Sequence, residues 1–385
     1  MTAPQGAQGS SPRIMAIETA VPPTVLSQDA ARDLFAGQAG RSRLATRLVT
    51  AAFDASGIDE RHTVVDALAT RGESALVASD GTIRPASTGT RNALYAEHAS
   101  PLALEAARRA LASSGFGTER VTHVITASCT GFVSPGPDLA LVTGLGLAPS
   151  TARLHLGFMG CSAAFPALRA ADAVCRADPD AVVLVVCVEL CTLHLGASDE
   201  PEQIVAMSLF ADGAAAAVVT SRPSAGRALA LGGFLTGLLP DSIDEMRWTI
   251  GDAGFVMRLS SRVPAHIGRG IRSALEPLVP DGADVVDAWA VHPGGRSILD
   301  NVQQALALPD EALRASRSVL ADYGNMSSPT VLFVLRELLT EQTQGTVCAM
   351  AFGPGLTLEA ARMSLEEPSE APSGPAQAPA QGAAS

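Results

Sequence analysis

The 385-residue sequence predicts an α/β fold made of two copies of one unit. Three observations lead to it. Short apolar runs rich in β-branched residues alternate with helical periodicity along most of the chain, the pattern of buried strands joined by covering helices. The composition, 47% apolar and 17% charged, belongs to a packed protein and not to a disordered one. The third observation is that the order of elements repeats. In the first half a strand, HVITAS, runs into a Gly/Pro turn over Cys129–Asp138. Further on a sharp turn, LGFMGCSAA, opens a helix, and the strand VVLVVCVE follows at 182–189. In the second half DAWAV (287–291) runs into the Gly/Pro turn His292–Asp300. DYGNMSSPT then opens a helix, and TVCAMAF follows at 346–352. Cys129 and Cys161 lie 32 residues apart, His292 and Asn325 33. Two halves with one order of elements read as duplicated copies sharing a core.

Taken in order, residues 1–11 are a Gly/Ser/Gln-rich tail without the apolar core of a secretion signal. Ile14–Thr19 is the first strand. Ser27 caps a helix that reaches Phe35, and 41–61 hold a further helical stretch. Residues 70–95 are irregular. Pro101–Ser114 is an amphipathic helix stopped by Gly115. His123–Ala127 is a buried strand, and Asp138–Thr143 begins the next helix. The strands are expected to be mostly parallel. The two halves should span 12–222 and 223–365. Residues 366–385 are Pro/Ala/Gln/Ser low complexity and read as a disordered tail.

Composition excludes several functions. Acids outnumber bases 39 to 27, a net charge of −12, with no sustained basic stripe, so no nucleic-acid partner is expected. All 27 basic residues are arginine. Without lysine there is no Schiff-base catalysis, no pyridoxal phosphate anchor and no phosphate-loop lysine. No apolar run reaches the ~18 residues of a membrane span. The six cysteines (129, 161, 175, 187, 191, 348) are too sparse for a disulfide framework, and several sit in apolar runs. Together these features indicate a cytoplasmic protein. Cys187-x3-Cys191-x2-His194 has a faint metal-ligand spacing, but Cys187 lies inside a strand and no partner pair is at hand, so no metal is expected.

Three residues stand where chemistry is done. Cys161 sits on a strand-to-helix turn flanked by glycines, where free amides and the helix dipole favour a thiolate and can hold an oxyanion. His292 follows an apolar strand directly and is held in a His-Pro-Gly-Gly turn. Asn325 opens the apolar helix Val331–Leu339 from the place that Cys161 holds in the other copy. Each has an ordinary structural explanation: a packed thiol, a surface histidine, a helix N-cap. The set of Cys, His and Asn is the more specific signal, because a duplicated core brings equivalent strand ends to one face. A thiolate–imidazolium pair between Cys161 and His292 is the expected resting state.

On these residues the sequence resembles the type III polyketide synthases, the chalcone and stilbene synthase family. The resemblance runs over roughly 12–363 and rests on GFMGC (157–161), VVLVVCVEL (182–190), LFADGAAAAVV (209–219), VHPGG (291–295), GNMSS (324–328) and AFGPG (351–355). It implies a thiolase-like duplicated αβαβα layered fold and a homodimer. It also implies acyl-CoA and malonyl-CoA as substrates, with no metal or organic cofactor. It makes Cys161 the acyl-carrying nucleophile, and makes His292 and Asn325 the donors to the malonyl thioester carbonyl, the enolate and the oxyanion. Phe210 and Met257 match the two gatekeepers between CoA tunnel and cavity, Met standing where phenylalanine is usual. Ser327 matches a serine beside the catalytic centre. Cys129, His194 and Trp248 fall at cavity-lining positions, and Ser134 at one that reaches across the dimer.

The departures are Ala351 for the usual glycine of the Gly-Phe-Gly-Pro-Gly loop and Ala55 where a CoA-binding lysine is common. Arg41, Arg43, Arg47 and Arg61 are nearby substitutes for that base. GFMGCSAA, VELCTLHL and LLPDSIDEMRWTIGDAGF look most like members that take long fatty acyl starters and make alkylresorcinols or alkylpyrones. The alternatives are a synthase using malonyl-CoA alone to make a tetrahydroxynaphthalene-type product, and a ketoacyl-carrier-protein synthase III. The latter shares Cys-His-Asn but usually lacks the Pro-Gly-Gly after its histidine.

Overall fold

A computed structural model describes residues 11–223, 226–341 and 345–367. The first half begins with β1 (Arg13–Ala20), β2 (Thr24–Ser27), α1 (Gln28–Ala36), α2 (Arg43–Asp54), β3 (Glu60–Thr63), α3 (Ala67–Thr70) and α4 (Thr88–Ser114). It continues with β4 (His123–Ser128), α5 (Pro137–Leu145), β5 (Ala152–Gly157), α6 (Ala164–Ala177), β6 (Val182–Leu190), α7 (Pro201–Leu209) and β7 (Asp212–Thr220). The second half opens with β8 (Ala228–Leu238), the hairpin β9 (Met246–Gly251) and β10 (Gly254–Leu259), α8 (Val263–Leu275), β11 (Ala288–Val291) and α9 (Arg296–Leu306). It ends with α10 (Arg314–Tyr323), α11 (Thr330–Thr340), β12 (Gly345–Gly353) and β13 (Thr357–Glu366).

Nine strands form one sheet in the order β11-β12-β13-β8-β1-β7-β6-β4-β5. The order β4-β6-β7-β1 of the first half is repeated as β11-β12-β13-β8 in the second. The halves meet edge to edge through Arg13–Ala230 and Ile14–Leu229. The pairings repeat as well. β4 lies parallel to β6 as β11 lies parallel to β12, and the remaining equivalent pairs are antiparallel. The sheet is therefore mixed, not mostly parallel. Only Pro354–Leu356 separate β12 from β13, and so short a connection permits only an antiparallel return.

Side chains alternate across each strand, so each half-sheet has two faces to cover. Val183, Val185 and Cys187 of β6 face one cluster, and Val182, Leu184, Val186 and Val188 face another. In β12, Val347, Ala349 and Ala351 share the first cluster with them, whereas Cys348, Met350 and Phe352 face a third. The shared cluster also holds α6 (Phe165, Leu168) and α11 (Leu332, Leu335), so these two helices are the middle layer. Residues of α4 and α5 cover the first half-sheet from outside, and residues of α8 and α9 cover the second. The result is the αβαβα layering of the thiolase-like fold.

Some local expectations change. α4 begins at Thr88 and carries Pro101 inside it, so the end of the segment read as irregular, 88–95, is helix. Its buried stripe there is Arg91, Tyr95 and Ala99, which hydrophobic periodicity does not recognise. Within 41–61 the helix ends at Asp54, and Arg61 belongs to β3. Of the tails read over 1–11 and 366–385, Ser11, Glu366 and Glu367 are described and Glu366 closes β13; the rest lie outside the described residues. No described helix is long and apolar enough to cross a membrane.

Candidate active site

Cys161 follows β5 on a 3-10 turn, Gly160–Ser162, that leads into α6. The turn requires Gly160. Its φ is +63°, and a Cβ there would stand 2.5 Å from Cδ of Pro354, in the AFGPG turn of the other half. His292 follows β11 directly, its amide donating to Met350 O at 2.8 Å. Asn325 lies between α10 and α11. Its backbone forms a parallel bridge beside Phe210: Asn325 N donates to Leu209 O and Ala211 N to Asn325 O, both at 2.9 Å. Its side chain is oriented by two contacts. Oδ1 accepts from Ser327 N at 2.8 Å, and Nδ2 donates to Gly294 O at 3.3 Å, in the turn that follows His292. Ser327 is held at φ +61°, with Oγ 3.7 Å from Cys129 Sγ.

Cys161, His292 and Asn325 line one small cavity of about 20 Å³ with Phe210 and Met257. Cys161 also lines a neighbouring one of about 10 Å³ with Cys129, Trp248 and Ser327. Eight of the ten sequence-selected residues thus line these two adjoining small cavities, which share Cys161, Phe210 and Met257 and together form the chamber. His194 stands one layer behind. It borders, with Phe210, Trp248 and Met257, a larger cavity of about 400 Å³. Its Nε2–H donates to Thr130 O at 2.7 Å, its Nδ1 accepts from Phe255 N at 3.1 Å, and its ring stacks on Phe255 at 4.1 Å. Burial lowers its pKa to about 4, so it is a neutral wall residue. Trp248 is pinned through Nε1 to Cys129 O at 2.9 Å. Ser134 does not reach this chamber; it lies on an exposed loop and lines a separate cleft with Phe132, Arg153 and Phe158.

The electrostatics correct one expectation. Desolvation pushes the Cys161 thiol up to about 11, against the smaller opposing pull of hydrogen bonding to Ser327 and Asn325. Desolvation also lowers His292 to about 3, and both its ring nitrogens are buried without a partner among the described residues. Burial penalises the charged form of each group, so the resting site favours neutral thiol and neutral imidazole over an ion pair.

Glu189 escaped the reading of the motifs. It is wholly buried at the end of β6 and accepts from Cys129 N (2.9 Å), Thr130 Oγ1 (2.8 Å) and Ser328 Oγ (2.7 Å). One carboxylate thus ties the Cys129 turn of one half to the Ser327–Ser328 turn of the other. Desolvation raises its pKa, and these donors oppose the rise. Its signal was a lone acid at the end of an apolar strand.

Of the arginines considered for CoA, Arg61 is wholly buried and cannot meet a phosphate. The Arg41 side chain is covered and paired with Asp199 at 2.9 Å. Arg43 and Arg47 are exposed on α2. Cys187 is buried in β6, and no three His, Cys, Asp or Glu among the described residues gather as metal ligands.

The chain is similar to several known proteins. Residues 1–223 match the N-terminal domain of chalcone and stilbene synthases, and 234–365 their C-terminal domain. A Mycobacterium tuberculosis protein named "Alpha-pyrone synthesis polyketide synthase-like Pks18" is 36% identical over 288 residues, 71% of this chain and 73% of that one. The crystal structure of PKS-I from the brown alga Ectocarpus siliculosus is 30% identical with a TM-score of 0.87, covering 94% of this chain and all of that one. The C-terminal type III polyketide synthase domain of Steely1, from Dictyostelium, is 27% identical with a TM-score of 0.84, over 92% and 99%.

A neutral resting thiol has a kinetic signature. Iodoacetamide alkylation of Cys161, followed by peptide mass spectrometry, is expected to rise about tenfold per unit between about pH 6 and pH 9. A flat profile would mean a preformed thiolate.

Proposed function

The chain belongs to the chalcone and stilbene synthase family and is a type III polyketide synthase, an acyltransferase-type condensing enzyme; from that premise we propose that it loads a medium- or long-chain fatty acyl group from CoA onto Cys161, extends it with malonyl-CoA and closes the product to an alkylpyrone or alkylresorcinol. The observation that carries this reading is the convergence of Cys161, His292 and Asn325, from both halves, on one buried cavity with the His292 nitrogens unpartnered among the described residues.

The residues divide the reaction as follows. Cys161 Sγ attacks the acyl-CoA carbonyl while His292 takes its proton. The C–S bond to CoA breaks, and CoA leaves as the thiol with that proton. Malonyl-CoA then binds with its thioester oxygen toward His292 and Asn325. The bond to its carboxylate breaks, carbon dioxide leaves, and the electron pair becomes an enolate held by N–H donors from both side chains. Asn325 spends one Nδ2 hydrogen on Gly294 and has the other for the substrate. The enolate carbon attacks the acyl-Cys161 carbonyl, a C–C bond forms, and the Cys161 thiolate departs to be reloaded. A dry chamber suits this sequence, because water would protonate the enolate and hydrolyse the acyl enzyme.

Two observations support a long starter. One relative is named for α-pyrone synthesis. Behind the wall of His194, Trp248, Phe210 and Met257 lies about 400 Å³, with the room for an alkyl tail that the chamber lacks. The small volume of the chamber itself favours the second reading, malonyl-CoA as starter and extender. We also read the chain as a homodimer. Phe132, Val133, Leu154, Phe158 and Met159 are exposed apolar residues along and beside the edge strand β5, next to Ser134.

Incubation with malonyl-CoA and acyl-CoAs from acetyl to stearoyl, followed by mass spectrometry, is expected to give pyrone or resorcinol masses that grow with the starter. A product from malonyl-CoA alone would establish the second reading, and turnover only with a carrier-protein substrate would overturn both. Trp248→Gly removes the wall between chamber and cavity. It is expected to raise kcat/KM for palmitoyl-CoA relative to hexanoyl-CoA by about tenfold; an unchanged ratio would mean that the tail goes elsewhere. Sedimentation equilibrium should return twice the chain mass, and the mass of one chain would contradict the dimer.

A further inference from the structure

The end of α7 is where the chamber's wall and its Asn325 are fastened together, and it is fastened from beneath. Helix C-termini leave carbonyls without intrahelical partners, and here they are buried where water cannot meet them. Arg61, wholly buried on β3, supplies the donors. Nη1 reaches Met207 O and Phe210 O, both at 2.9 Å, and Nη2 reaches Ser208 O at 2.8 Å and the side-chain oxygen of Gln28. The carbonyl it leaves, Leu209 O, is the one that accepts from Asn325 N. Four consecutive carbonyls are therefore bound, three by one guanidinium and the fourth by the backbone of Asn325. Gln28 backs the arrangement, its Nε2 donating to Ser208 O at 2.9 Å and Ser56 Oγ at 2.8 Å. The Phe53 ring lies 5.5 Å from the guanidinium carbon.

The cation is matched to this place by its shape as well as its charge. The carbonyl end of a helix attracts a positive group, and the planar fork spans acceptors that an ammonium cannot reach together. Asp212, the acid that acts on Arg61 electrostatically, has its own oxygens engaged by Val64 N (2.8 Å), Thr192 N (2.8 Å) and Thr192 Oγ1 (2.6 Å). Arg61 is thus spent on the backbone that carries Phe210, and Phe210 borders the chamber and the large cavity alike.

We propose that Arg61 is a positioning residue of the condensing site: by gripping the carbonyls of Met207, Ser208 and Phe210 it fixes the Phe210–Asn325 bridge, and so the gatekeeper ring and the Asn325 carboxamide. This rests on the reading of the site as a malonyl-CoA condensing site. Arg61 touches no substrate; it acts through Phe210 and Asn325. A merely structural arginine would lower stability on removal and leave the surviving folded enzyme unchanged. A positioning arginine has a different signature, because misplacing the donors weakens the transition state more than the ground state.

The test uses full-length Arg61→Met and Arg61→Lys, with Gln28→Met as a milder change that keeps the guanidinium and removes its side-chain acceptor. Each is assayed at a temperature at which circular dichroism shows it folded. In Arg61→Met, kcat for condensation is expected to fall about tenfold or more with KM for malonyl-CoA within about twofold, Arg61→Lys lying between it and wild type. Amide hydrogen exchange is expected to quicken in peptides covering 207–213 and 324–328, with the amides of β6 and β12 unchanged. Gln28→Met should show the same pattern at smaller size, and it decides the matter if Arg61→Met does not fold. Wild-type kcat and wild-type exchange in those two segments would overturn the proposal. If wild-type protein turned over no CoA thioester, the reading of the site would fall. The exchange arm would still decide whether Arg61 holds the bridge.

Discussion

The segments that carry chemistry enter the two middle-layer helices, α6 and α11, at a place buried between the halves of one sheet, and this burial constrains the rest of the site. Cys161 precedes α6, and Asn325 and Ser327 precede α11. A polar group in such a place must find a partner, because an unmatched one costs about 1–3 kcal/mol. Most of the neighbouring polar groups do. Glu189 takes the donors of the Cys129 and Ser328 turns, and Asn325 holds Gly294 and Ser327. Arg61 holds the carbonyls at the end of α7. The ring of His292 keeps both nitrogens free among the described residues, beside a thiol that burial holds in its neutral form. Around the chamber the neighbouring polar side chains are committed to structure, while the imidazole that would meet a thioester is not.

The same burial explains the division of labour along the wall. Trp248 is tied to Cys129 O, and His194 is tied at both ring nitrogens and stacked on Phe255. Met257, half-buried, touches the cluster of Cys161, Cys191, Ala206 and Phe210, and its side chain is the most adaptable of the group. Fixed aromatic residues beside a flexible thioether make a partition that can yield locally without disturbing Cys161. The gate and the catalytic centre can then vary separately, although both hang on the Phe210–Asn325 bridge.

Much of this was legible in the sequence because the duplication wrote it twice. The intervals of 32 and 33 residues placed Cys129, Cys161, His292 and Asn325 at equivalent strand and helix ends, and such ends meet across a pseudo-dyad. Helices with an apolar stripe, such as Pro101–Ser114, were visible by period. The first half of α4 was not, because its buried stripe contains Arg91 and Tyr95. The mixed sheet was hidden because a buried strand reads the same whichever way its neighbour runs. Arg61 looked like a surface base, since charge in a sequence carries no record of burial. Only the carbonyls of a helix 146 residues away in the chain show why it is inside. The ionisation of Cys161 and His292 is a property of three-dimensional desolvation, and no local motif reports it.

The central claim is that Cys161 alone carries the acyl chain. The direct measurement is intact-protein mass spectrometry after brief incubation with palmitoyl-CoA, without malonyl-CoA, quenched in acid to preserve thioesters and followed by peptide mapping. The account predicts one palmitoyl increment per chain, mapped to the peptide containing Cys161 and removed by hydroxylamine. An unmodified protein, or an increment on Cys129 or Cys191 with Cys161 bare, would contradict it.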